Sequence, residues 1–534
     1  MSTAHDVVIV GGGHNGLTAA AYLARAGRSV LLLERSPQLG GATVSAEAFP
    51  GMSARLSRYS YLVSLLPRQI VDDLGLSLRL ARRRYSSYTP VPGQDVGLLV
   101  DNQDPAATAA SFAAVGAAED GPRWEQFYSR VGRLAEAWWP TMTAPLRTRA
   151  ELAELVGDPG LVRDFTERPL GEVIEETFRH DLVRGVVLTD GLISTFADAH
   201  GADLRHNICF LYHVIGGGTG DWDVPIGGMG QVSDQLADVA RAAGAELRTG
   251  ATVTAVEEGA VTWVDTRPQG SPGASWGAEP PDREGMPHRA TAGTVLWAAA
   301  PAVLDGLANG QGVQGERVEG AQVKVNLLLS RLPRLRDREV DPTAAFGGTF
   351  HINETYSQLQ DAYRTAAAGQ VPNPMPAEIY CHSITDPSIL SPQLQQAGAH
   401  TMTVFTLQTP DRLLDGREEE ARAQLERAVL DSLSSVLAEP IEDVVMRDAQ
   451  GRLCVETRTT RDLQDSLAMP GGNIFHAPLT WPWAEDDAPL DTPARRWGVD
   501  TAYPGVLLAG AGSRRGGGVS GLGGYHAARA VLDG

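Results

Sequence analysis

The sequence predicts an α/β chain in which a domain of parallel strands is interleaved with an α+β domain. Three observations predict it. A strand, a glycine-rich turn, a helix and a second strand follow one another within Asp6–Leu33. Apolar strand-like runs of the same kind return at Thr294–Ala299 and Val506–Gly510, far down the chain. The stretches between them have another character, first helical and rich in aromatic residues, then mixed.

The elements read in order as follows. Asp6–Val10 is an apolar β-run, and Gly11, Gly13 and Gly16 follow it as G-x-G-x-x-G, with His14 and Asn15 inside the turn. Leu17, Ala20, Leu23 and Ala24 recur at helical spacing up to Gly27, and Ser29–Leu33 is a second apolar run ending on Glu34 and Arg35. Gly11 permits the tight turn, Gly13 lets backbone approach a pyrophosphate, and Gly16 lets helix and strand pack closely. The free N–H groups and partial positive charge of the helix start favour phosphate. Glu34 is the acid that hydrogen-bonds a ribose. This is a dinucleotide site.

Gly40 and Gly41 come shortly after Glu34. A glycine pair there suits a cofactor whose pyrophosphate and ribityl chain continue past the first βαβ unit, although an ordinary loop would read the same. The C-terminal end decides between them. After Val506–Gly510 come Gly512, Gly518 and Val519 in a glycine-lined turn, then a short helix from about Gly523. Backbone N–H groups in such a turn meet an anionic ring edge, such as the N1–C2=O edge of reduced flavin. The cofactor read from the sequence is FAD.

These motifs resemble the FAD-dependent phytoene desaturase-like oxidoreductases, within the amine-oxidase-like flavoprotein superfamily, on the branch of pyridine nucleotide-disulfide oxidoreductase domain-containing protein 2. The resemblance runs through Gly11–Gly27, Ser60–Leu76, Trp222–Val256, Val323–Pro333, Gly471–His476 and Gly510–Ala528. It implies a Rossmann-like, glutathione-reductase-like FAD-binding domain, with the backbone of Val253 at the adenine end. It also implies a lysine near flavin N5 on the strand that carries Lys324. The chain departs from the family at Ser513-Arg514-Arg515, where a Thr-His-Pro-like segment is usual, and two extra cations are expected beside the flavin.

The FAD-binding domain is expected over 1–81, 222–301 and 465–534, and the substrate domain over 82–221 and 302–464. The first part of the substrate domain is expected to be mostly helical. The Pro- and Gly-rich segment 267–287 is expected to be a mobile loop. A formal charge of −20 opposes nucleic-acid binding. It also opposes an anionic membrane, although a local patch would still permit peripheral contact. The first core strand starts too early for a signal peptide, and no apolar run would span a bilayer. With three scattered cysteines and no histidine cluster, no disulfide framework or metal site is expected, and the predicted location is cytoplasmic. Oligomeric state is left open.

Of 45 lysine and arginine residues, only Lys324 is lysine. It lies in a strand-like run, so flavin proximity and an ordinary surface position compete. His476 is the second catalytic candidate, as substrate orienter or proton acceptor. Tyr59, Tyr61, His213, Trp222 and Tyr525 are the candidates for substrate contact, with packing as the alternative for each. The expected reaction is hydride transfer from a C–H bond of a hydrophobic, polyene- or isoprenoid-like small molecule to flavin N5. An oxygen-using amine or alcohol oxidase is the alternative. A non-catalytic binder of prenylated partners is disfavoured by the intact glycine motifs.

Overall fold

The computed structural model describes residues 3–266, 286–309 and 317–534. The predicted mobile loop therefore lies outside the described residues, apart from its last two positions.

Strand β1 (Thr3–Val10) leads into helix α1 (His14–Arg25) and strand β2 (Val30–Leu33), which pairs parallel with β1. Val7, Ile9, Val30 and Leu32 enter the core on one face, while Val8, Val10, Leu31 and Leu33 enter the core on the other. Continuous apolar runs of this kind are what a parallel strand covered on both faces requires. The parallel sheet runs Glu246–Arg248, β2, β1, His288–Trp297 and Val506–Leu508. An antiparallel hairpin, Ala251–Glu257 with Ala260–Asp265, joins the first half of His288–Trp297.

A second sheet of seven strands runs Val455–Arg458, Lys324–Leu329, His400–Thr406, Ala377–Tyr380, Thr349–Ile352, Tyr85–Pro90 and Gly97–Asp101. All its pairs are antiparallel except Thr349–Ile352 with Tyr85–Pro90. The stretch 82–221 is mostly helical, as expected, but its helices start only at Pro105, after the edge hairpin. The hairpin's signal was present in the apolar Gly97–Asp101 run behind a Pro-Gly turn. A short ribbon of Leu80–Ala81 with Val224–Pro225 ties together the two points at which the chain leaves and re-enters the first sheet.

The C-terminal helix, Leu522–Leu532, packs on α1. A Cβ at Gly524 would fall 1.8 Å from the Asn15 carbonyl oxygen, so glycine is required where the two helices touch. No described helix is long and apolar enough to cross a membrane.

Candidate active site

A cavity of about 780 Å³ runs from the end of β1 into the space above the second sheet. Gly11, Gly13, His14, Asn15, Glu34, Arg35 and Gly41 line its outer end, with Val253 and, from the C-terminal turn, Gly518 and Val519. Gly11 has φ +108°, a conformation that side chains resist. A Cβ at Gly16 would sit 2.0 Å from the Gly11 carbonyl oxygen, which explains the third glycine. Gly13 and Gly40 form a parallel bridge, and a Cβ at Gly41 would come within 3.1 Å of Gly13 Cα. The second glycine pair thus lies directly against the first turn.

The side chains here fit a pyrophosphate-bearing dinucleotide. No side chain caps α1, so its first N–H groups remain for phosphate. His14 Nδ1 and Asn15 Oδ1 are buried without partners among the described residues. His14 Nε2 lies 3.0 Å from the Gly518 carbonyl oxygen, so the two glycine turns meet across the cavity mouth. Glu34 accepts hydrogen bonds from the Gly12 and Ser36 amides at 2.6 and 2.7 Å. Those bonds fix its carboxylate at the end of β2, where a ribose hydroxyl would be met.

Deeper in, the second sheet forms the floor. Arg458, Lys324, Phe405, Glu378 and His351 stand opposite one another on five consecutive strands, and all five line the cavity. Lys324 is buried, not on the surface. Its Nζ donates to the carbonyls of Ser57 and Tyr59 at 2.7 and 2.9 Å and lies 4.8 Å from the Tyr61 ring centre. Burial pulls its pKa down to about 7, with Glu456 opposing and Arg58 assisting. Burial likewise pushes the Glu378 carboxyl up to about 7, although His351, Tyr380 and Arg83 favour its anion.

The inner wall carries more ionisable groups. His351 Nδ1 lies 2.6 Å from Glu354 Oε2, and His213 Nε2 lies 3.2 Å from Asp190. Burial favours the neutral form of all four: it raises both carboxyls well above the usual range and lowers His351 to about 4 and His213 to about 3. His351, Glu354 and Glu378 bring ligand-type atoms within 4.8 Å of one another, a grouping the scattered sequence positions did not suggest.

The candidates divide between cavity and packing. Tyr59, Tyr61, His213, Trp222, Lys324 and His476 line the cavity. His476 interacts with the Ala299 backbone and faces His14, which places it at the glycine turns, with burial lowering its pKa to about 4. Gly16, Gly40 and Gly512 are spacers: a Cβ at the last two would meet Ser233 and Pro301 within 3 Å. Tyr525, expected at the substrate, instead packs edge-on against Tyr22 and Trp497, and its hydroxyl accepts from Gln69. His526 is held by the Met142 carbonyl oxygen at 2.7 Å.

The two extra cations expected beside the flavin are also corrected. Buried Arg515 donates to the carbonyls of Thr141, Ala144 and Trp497, and Arg514 donates to that of Trp483. They staple the C-terminal turn to the helical layer and do not line the cavity. Sequence reasoning missed Arg83, Tyr128, Asp190, His351, Glu378 and Tyr380, all of which do.

A glycine cradle on a parallel sheet, opening onto a side-chain floor from a second sheet, defines an FAD-binding oxidoreductase. The family model for FAD dependent oxidoreductases matches residues 6–120. An uncharacterised protein of Mycobacterium tuberculosis (strain ATCC 25618 / H37Rv) is 52% identical over 541 residues, covering 99% of this chain and 97% of that protein. Pyridine nucleotide-disulfide oxidoreductase domain-containing protein 2 of Rattus norvegicus is 28% identical over 573 residues, covering 99% and 93%. Among solved structures, cyclohexylamine oxidase from Brevibacterium oxydans IH-35A shares the fold, with TM-score 0.56, 16% identity and coverage of 99% and 98%. The chain is an FAD-dependent oxidoreductase, and pyridine nucleotide-disulfide oxidoreductase domain-containing protein 2 is among its homologues. Its cofactor is FAD.

Proposed function

We propose that the protein oxidises a C–H bond of a small amphipathic molecule, one with a hydrocarbon body and a hydroxyl or amino group, in the cytoplasm. The observation that carries this reading is the cavity itself. It starts at the glycine turns and ends at Asp190, His213, His351 and Glu378, with Leu62, Leu65, Trp124, Val186 and Ile193 also in its lining.

FAD, when bound, supplies the hydride acceptor. The protein's own residues do the rest. The apolar residues hold the substrate body and exclude water. The inner wall receives its polar group, and the buried acid–imidazole pairs switch between donor and acceptor roles at little cost. Lys324, held by two backbone carbonyls, fixes a proton-bearing Nζ in the cavity.

A wholly apolar polyene, the substrate class implied by the family resemblance, finds support in the apolar lining alone and would make no hydrogen bond to the inner wall. An amine, the class in the name of the cyclohexylamine oxidase neighbour, or an alcohol satisfies both parts.

The test is anaerobic titration of the FAD-loaded protein with amphipathic amines, amphipathic alcohols and carotenoid-like polyenes. Bleaching of the flavin band by the first two classes is expected. Bleaching by polyenes alone would overturn the reading. Admitting oxygen to the reduced protein then separates an oxidase, which recovers its colour rapidly, from a dehydrogenase, which does not.

A further inference from the structure

Lys324, Phe405, Glu378 and His351 are direct neighbours across four strands. Strands lie about 4.8 Å apart, which puts the Glu378 backbone about 10 Å from that of Lys324. Tyr61 and Tyr380 fill the gap. The Tyr61 ring lies beside Lys324 Nζ and 4.6 Å from the Tyr380 ring. Tyr380 in turn donates to Glu378 Oε2 at 2.5 Å. Behind Glu378, His351 is tied to Glu354, whose Oε1 is buried without a partner among the described residues.

From this chain of contacts we propose that Glu378 is the proton acceptor of the oxidation, reached from the substrate through Tyr61 and Tyr380. The proposal rests on the oxidation reading above. FAD, when bound, would take the two electrons of the substrate C–H bond as hydride. The neighbouring O–H or N–H bond breaks, and its electron pair becomes the second bond to carbon. That proton goes to Tyr61, whose own hydroxyl proton passes to Tyr380. The Tyr380 proton passes in turn to the Glu378 carboxylate. Burial brings the carboxyl up to about 7, close to a working pH, while the Tyr380 hydroxyl and Arg83 favour its anion. Tyr61 and Tyr380 are held well above the ordinary tyrosine range by burial, so they pass a proton on without keeping a charge.

The experiment is infrared titration of the FAD-loaded protein without substrate, following the protonated-carboxyl C=O band. A band titrating near neutral pH is expected, absent in Glu378→Gln, with its midpoint raised in Tyr380→Phe because the donor to the anion is gone. On transfer to heavy water the band should exchange more slowly in Tyr61→Phe than in the native protein. Titration in the ordinary carboxylate range, or persistence of the band in Glu378→Gln, would overturn the assignment. An unchanged exchange rate in Tyr61→Phe would overturn the route. If Glu378→Gln does not fold, the Tyr380→Phe midpoint decides the matter, and no shift there counts against the proposal. Because no substrate is present, these outcomes are independent of the flavin-bleaching test.

Discussion

The two ends of the cavity are built in opposite ways. The outer end is mostly backbone, drawn from one short stretch around the first glycine turn and completed by the C-terminal turn. The inner end is side chains, one per strand from five strands of a second sheet, with Asp190 and His213 added by the helical layer. A backbone site depends on what a residue lacks, and a register site depends on where each strand is paired. The first should fail at single glycines, and the second should yield gradually.

The largest expected effect breaks the first end. Gly16→Val would drive a side chain into the Gly11 carbonyl, and bound FAD should be lost with the turn. Gly13→Leu sharpens the point. A Cβ there meets only Gly41 Cα at 4.0 Å, so the fold should survive while the flavin-to-protein absorbance ratio collapses. Circular dichroism separates the two results.

Next comes the staple between the turn and the helical layer. Arg515→Met removes the donor to three buried carbonyls, and a loss of about 3 kcal/mol is expected, read by denaturant unfolding. The spectrum of the remaining bound FAD should not move, since Arg515 lies outside the cavity lining.

Lys324→Met tests the second end. A fall of about tenfold in the rate of flavin reoxidation is expected if the ammonium stabilises the charge passed to oxygen. No change would remove Lys324 from that step. In the native protein, substrate oxidation should rise as pH increases through about 7, because Glu378 becomes a carboxylate there. A flat profile in Glu378→Gln would assign the limb.

The smallest effect lies far from both ends. Glu439 accepts from Arg331 and Arg334, which hold its carboxyl well below the ordinary range. A depressed native pKa adds stability above the unfolded carboxyl's value, and that stability is lost as pH falls through the native one. Both arginines are largely exposed, so Glu439→Gln should cost at most about 1 kcal/mol at neutral pH and nothing in strong acid.

Legibility in the sequence follows the same division. Gly11, Gly13, Gly16, Glu34 and Gly41 announce themselves because a turn, a close approach and a ribose acid occur within one local pattern. Glu378 and His351 carry no such mark. Each is a single polar residue in a short strand, and only the pairing Phe405↔Glu378 and Glu378↔His351 makes them neighbours. Register is a tertiary property that alternation alone does not specify. Tyr525 and Arg515 were misplaced for a related reason. Their closeness to the C-terminal turn in sequence suggested closeness to the flavin, whereas the chain's path turns both side chains into packing.

The meeting of His14 with Gly518 has a consequence for how the protein is made. The two residues lie 504 positions apart, so a ribosome must add everything between them before the cradle exists. Until then α1 lacks the partners that Gly518 and Leu522–Leu532 supply. A chain stopped short of Gly518 lacks the turn that meets His14 and should emerge without its yellow colour.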